Sequence, residues 1–163
     1  MRNLIRSSMW TPALLLCVIL QSILFSGCSN VPTDTPETRQ AVIDAHNSLI
    51  DAYQAGDTEA LISLLDPSND LLIFHAMTEA RFESIAEVRS GLPRMFAKLK
   101  GATWAEAHPK LIMRGNVACM TAHVSIEAPS MAQSFIGRGT EIWVKNGGNW
   151  QLVHGHWSDN PAL

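Results

Sequence analysis

Apolar residues between positions 38 and 55 recur every three or four places. Ala41, Val42, Ala45, Leu49, Ala52 and Tyr53 fall on one side and Gly56 follows as a stop, which predicts an amphipathic helix with one buried face. Asp57 can cap a second, short helix carrying Leu61, Leu64 and Leu65, with Pro67 as its end. Residues 71–75 read as a brief apolar strand. Ser84-Ile85-Ala86-Glu87 fits a capping box opening a third helix to about Leu99, in which Gly91 and Pro93 predict a kink or a break.

Beyond residue 100 the period changes from helical to two. Residues 104–113 turn back around Gly115-Asn116 as residues 117–126, and strict alternation gives an inner face of Ala105, Ala107, Leu111, Met113, Ala118, Met120, Ala122, Val124 and Ile126. The opposite face carries Glu106, His108, Lys110, Thr121, His123 and Ser125 and suits solvent or a partner subunit. Its small alanines leave the inner face room for a cavity lined by Met, Val and Trp, with a solid core as the alternative. Two further strand-like runs, 135–145 and 150–158, flank Asn146-Gly147-Gly148-Asn149, a turn whose residues tolerate positive φ. A two- or four-residue loop would set Glu141 and Trp143 beside His154 and Leu152. A three-residue loop with a glycine bulge, the favoured reading, would set them beside Val153, Gly155 and Trp157, because a one-residue slip reverses the faces.

The last strands also carry a resemblance. Gly-Arg-Gly-Thr-Glu-Ile-Trp at 137–143 and Trp-Gln-Leu-Val-His-Gly-His-Trp-Ser at 150–158 resemble the closing hairpin of the SnoaL-like branch of the nuclear transport factor 2-like superfamily. They are similar, too, to the association domain of calcium/calmodulin-dependent protein kinase II. The resemblance spans roughly residues 38–160 and implies an α+β cone: a curved antiparallel sheet wrapped around about three N-terminal helices, usually dimeric. In the kinase association domain three arginines face the cavity. Glu141, Trp157 and Val124 take their places here, which removes the charge that a small anionic metabolite would need.

The first segment belongs to no domain. Arg2 and Arg6 precede an apolar run over residues 9–25 that ends in Ser26-Gly27-Cys28, a charged start, an apolar centre and small residues at a cleavage site. The uninterrupted core is short for a membrane-spanning helix, the alternative reading, which needs about 20 apolar residues. Ser26-Gly27-Cys28 resembles a bacterial lipobox, which implies removal of residues 1–27, lipidation of Cys28, a tether over residues 28–37 and a domain over 38–160. With Ser29 rather than Asp after the cysteine, the implied address is the periplasmic face of the outer membrane. Membrane contact then runs through the anchor alone, since multiple acyl chains suffice for stable attachment.

Charge and cysteine content narrow the partners. The net charge is −3, loss of Arg2 and Arg6 with the leader makes it more acidic, and there is no basic stripe, so nucleic acid is not an expected partner. Cys17 leaves with the leader and Cys28 is lipidated, so Cys119 stands alone and reads as a packed thiol. His154 and His156 lack a third ligand at metal-binding spacing, and neither metal nor cofactor is expected.

Three functions remain open. The first is a binding module for a small apolar or aromatic molecule, with Met113, Met120, Val124, Trp143, Val153 and Trp157 lining the cavity. The second is a cofactor-independent isomerase, dehydratase or cyclase, as relatives such as ketosteroid isomerase imply, with Glu141 as general base and Tyr53 and His75 assisting; a carboxylate among aromatic and Met side chains has a raised pKa suited to proton transfer. The third is a dimeric scaffold using the polar sheet face. Against a chemical role, Glu141 could instead pair with Arg138, Arg81 or Arg114 as a structural ion pair. His154 and His156 could relay protons or simply tie strand to backbone or to a dimer mate.

Overall fold

Thr35 starts the first helix. Its hydroxyl accepts the Thr38 N–H while the Thr38 hydroxyl accepts the Thr35 N–H, and Pro36 takes the first helical position, where no donor is needed. Helix α1 (Pro36–Ala55) thus begins two residues inside the expected tether and stops at Gly56, which has φ 68°. Asp57 caps α2 (Thr58–Ser63) by accepting the Ala60 N–H. The computed structural model describes residues 34–68, 70–75 and 81–159. The expected leader, Cys28 and most of the tether lie outside them. All described residues fall in one compact unit, Pro32–Leu163.

Strand β1 (Leu72–Phe74) follows, then β2 (Arg81–Phe82), which the sequence pattern does not reveal, and α3 (Ile85–Leu99). The expected break in α3 does not occur: the helix runs through Gly91 and Pro93. Val88, Leu92, Met95, Phe96 and Leu99 are buried along it, and that packing outweighs the one backbone bond Pro93 cannot make. Gly91 serves approach rather than interruption, since a Cβ there would sit 2.5 Å from the Phe82 ring.

Four long strands complete the chain: β3 (Thr103–Arg114), β4 (Val117–Glu127), β5 (Phe135–Asn146) and β6 (Asn149–Asp159). With β1 and β2 they form one curved, unclosed sheet in the order β2-β1-β6-β5-β4-β3, in which β1 runs parallel to β6 and every other pair is antiparallel. Helix α1 lies inside the curve against β3 and β6. The inner face of β4 is as the alternation predicts, with Ala118, Met120, Ala122, Val124 and Ile126 buried.

Two registers differ from the simple alternation. In β3 the ladder shifts between Ala107 and Lys110, and His108 within the gap has φ 55°. This bulge reverses the faces upstream of it, so Trp104 and Glu106 pair with the inward Ile126 and Val124 while Ala105 and Ala107 are exposed. In the last hairpin Asn146 pairs with Asn149, leaving a two-residue Gly147-Gly148 loop with φ of 57° and 99°. The bulge lies higher up the hairpin instead: Trp143 pairs with Leu152 but Glu141 with Gly155. Each of the two expected registers is therefore correct for one half of the hairpin.

Candidate functional site

The centre of the cone is polar. His46 lies on the buried stripe of α1, one turn from Val42 and from Leu49, with its side chain 4 % exposed. Its Nδ1 is 2.8 Å from Glu141 Oε2 and its Nε2 is 3.0 Å from Glu106 Oε2. Both carboxylates are held from their own strands as well. Trp143 donates its indole N–H to Glu141 Oε2 at 2.9 Å, and Trp104 donates to Glu106 Oε1 at 3.1 Å. In each case the tryptophan stands two residues from the glutamate, the strand spacing that returns side chains to one face.

An imidazole between two carboxylates donates from both nitrogens and is an imidazolium. Burial opposes that charge, but the hydrogen bonds to Glu106 and Glu141 and the charges of both outweigh it, raising the His46 pKa to about 10. Burial likewise works against the Glu106 anion, yet the His46 bond and charge and the Trp104 N–H hold its carboxyl below the ordinary value. The cluster thus carries two negative charges and one positive charge.

Beside it lies a cavity of about 10 Å³ lined by His46, Glu106, Met120, Thr121, Ala122, Gly139, Glu141 and Trp157, room for about one water molecule. Trp157 can lie flat on the sheet because its neighbours are glycines. A Cβ at Gly139 would sit 3.0 Å from its pyrrole edge and one at Gly155 2.5 Å from its benzo edge. The two glycines in the motifs of the closing hairpin therefore seat this ring.

Aromatic rings connect the cavity to the surface. Tyr53, on the last turn of α1, is 5.9 Å from the rings of Trp104, Phe96 and His75 and 6.3 Å from Trp157. It also walls a cleft of about 240 Å³ formed with Gln54, Ala55, Gly56, Phe96, Leu99, Lys100 and Gly101. Burial and the Glu141 charge push the Tyr53 hydroxyl pKa up, and burial pulls the His75 pKa down to about 4. Both groups are neutral at pH 7.

Several expected site residues meet here and several do not. Glu141 is central, Met120 and Trp157 line the cavity, and Trp143 holds Glu141. Val124 is buried with a methyl 3.4 Å from where a Gly139 Cβ would stand, and Met113 is buried farther along β3. Tyr53 and His75 do not hydrogen-bond Glu141; they belong to the aromatic path beside it. Val153 falls at the bulge in β6, is half-buried and does not line the cavity. Glu141 pairs with none of Arg138, Arg81 or Arg114. Arg138 and Arg114 lie on exposed positions of their strands, and Arg81 bridges Glu83. His154 and His156 sit on the outer face, where both pack on Phe74.

Glu106 is the residue that alternation misplaces, and His46 is one that no motif singles out. The signal for His46 was its position on the α1 stripe, and that for Glu106 was Pro109, since a proline within a strand marks an edge or a bulge. Among the described residues no group of three His, Cys, Asp or Glu side chains is arranged to hold a metal ion, and no helix is long and apolar enough to cross a membrane.

The fold and its closing hairpin define an NTF2-like cone. The SnoaL-like domain matches residues 42–162 of the chain, which belongs to that family. Solved structures with the same fold include an NTF2-like protein from Streptomyces avermitilis named as a candidate dehydratase, at 19 % identity and TM-score 0.70, covering 78 % of this chain and all of that one. A candidate ketosteroid isomerase from Shewanella frigidimarina is 19 % identical with TM-score 0.64, covering 80 % of this chain and all of its own. A candidate calcium/calmodulin-dependent protein kinase type II association domain from Thiobacillus denitrificans is 15 % identical with TM-score 0.61, covering 78 % and 96 %.

Proposed function

We propose that this protein is a lipid-anchored domain of the bacterial cell envelope that binds a small apolar or aromatic molecule within its cone. The observation that carries the binding reading is Glu141. Its Oε2 is held by His46 and Trp143, while Oε1 receives no hydrogen bond from any described residue, although the side chain is only 4 % exposed and lines the cavity. Among the described residues the buried side-chain polar atom without a partner is the Trp150 indole nitrogen, so Glu141 Oε1 is not sealed off but stays open to a guest that donates to it. The guest arrives by the 240 Å³ cleft, with Tyr53 swinging aside to join cleft and cavity. Titrating the protein with small aromatic compounds while following the indole N–H signals tests this. Saturable shifts at Trp157 and Trp143 are expected, and none across a chemically varied set would overturn it.

The same atom favours a second reading, an isomerase, dehydratase or cyclase with Glu141 as general base, since an oriented carboxylate with a free oxygen is competent to accept a proton. The names borne by two of the similar structures, dehydratase and ketosteroid isomerase, point the same way. Turnover of a bound ligand that Glu141→Gln abolishes without abolishing binding would select this reading. A homodimer through the outer sheet face is also proposed, because Ile112, Val117 and Ile136 are exposed there, Ile136 by 61 %. For the address, Cys28→Ser is expected to abolish palmitate labelling and release the protein from the membrane fraction. Labelling that persists would overturn the anchor.

A further inference from the structure

The polar lining of the cavity specifies more than a place for a ligand. Four N–H groups of the cluster, two from His46 and one each from Trp104 and Trp143, are already spent on carboxylates. Glu141 Oε1 remains as an acceptor. Trp157 lines the same cavity, is 3 % exposed, and its indole N–H, seated on Gly139, donates to no described residue. One acceptor and one donor thus belong to residues that line a space of about 10 Å³. Neither is sealed from water, the buried unpartnered side-chain atom among the described residues being Trp150 Nε1, and a group that both donates and accepts suits the pair.

The geometry points to a hydroxyl-specific pocket: one water there accepts from the Trp157 indole N–H and donates to Glu141 Oε1, and the ligand that displaces it does so with an alcohol group. This rests on the binding reading above and names the chemistry of the ligand's inner end. Other polar ends match less well. An ammonium satisfies Glu141 but leaves the Trp157 N–H unmet; a carbonyl does the reverse; a carboxylate sets its charge against Glu141. Each mismatch weakens binding by about tenfold or more. The remainder of the ligand runs along Trp157 toward Tyr53, so it is apolar or aromatic.

The test uses the full chain and four probes of one shape: benzyl alcohol, benzaldehyde, benzylamine and benzoate. With the Trp157 indole N–H followed by NMR, benzyl alcohol is expected to bind at least about tenfold more tightly than each of the other three. If benzaldehyde, benzylamine or benzoate binds as well or better, the hydroxyl assignment is overturned while the binding reading stands. If none of the four binds saturably, both fall. Without any ligand, a cross-peak between the Trp157 indole proton and a long-lived water is expected, and its absence overturns the hydrated pocket whatever the probes do.

Discussion

Glu141 and Glu106 grip one imidazole from opposite sides, and the difference between their surroundings separates a working atom from a supporting one. Glu141 stands on β5, inside the sheet with strands on both sides, and its side chain is 4 % exposed. Its Oε2 takes both available donors and its Oε1 is left over. Glu106 stands on the edge strand β3, just before the bulge, and is 16 % exposed with both oxygens engaged. It balances the charge of His46 and has nothing left to offer. The cluster therefore divides the labour: Glu106 keeps His46 charged, and His46 with Trp143 aims Glu141.

Removing the shared cation strikes both sides at once. His46→Ala leaves two inward carboxylates facing each other without it and is expected to cost roughly 3–5 kcal/mol, a fall in melting temperature of about 10 °C or more. A near-neutral result would show that neither carboxylate depends on the imidazole.

The same proton gives stability a pH dependence. In the unfolded chain His46 has its ordinary pKa of 6.5 and in the folded one about 10, so its contribution is whole below pH 6.5 and is lost as pH rises toward 10. Wild-type melting temperature is expected to fall over that window, with the slope reduced in His46→Ala. A level wild-type profile would contradict the imidazolium. The lowered pKa of Glu106 acts at the other end, where its share is present above pH 4.5 and lost as pH falls below it.

Single carboxylate changes then test the asymmetry itself. Glu141→Gln weakens two buried charge-assisted bonds and is expected to cost about 2–3 kcal/mol by denaturant unfolding. Glu106→Gln, on the edge strand where the side chain keeps some access to solvent, should cost only about 1 kcal/mol. Equal losses would erase the distinction between the two ends. The smallest effect is expected at the bulge that turns Glu106 inward. His108 holds φ 55° there, a region that favours glycine, so His108→Gly should raise stability by about 0.5–1 kcal/mol without moving Glu106.

Much of this could be read along the chain because local signals agreed with the final packing. The α1 stripe, the Asp57 and Ser84 caps and the alternation of β4 each lie in elements whose neighbours impose nothing contrary, and the structure bears them out. The Glu141-x-Trp143 spacing follows the same logic, since a strand returns side chains to one face every second residue. Misreadings cluster where one residue of slip matters. A bulge costs one position in the ladder and inverts every side chain beyond it, so Glu106 moved from the outer face to the inner one and Val153 dropped out of the lining.

Sequence alone determined the helices, the long strands and the closing turn, because period, caps and turn residues act over a few neighbouring positions. The cone was what the resemblance of the last strands implied, and the register that turns Glu141 inward stayed open. Tertiary structure decided what Glu141 does there. Its partner His46 lies 95 residues away and Glu106 reaches the same imidazole from another strand. No local pattern encodes which polar groups meet inside a closed fold; that follows from where the bulges set each face and from the requirement that buried charges find partners.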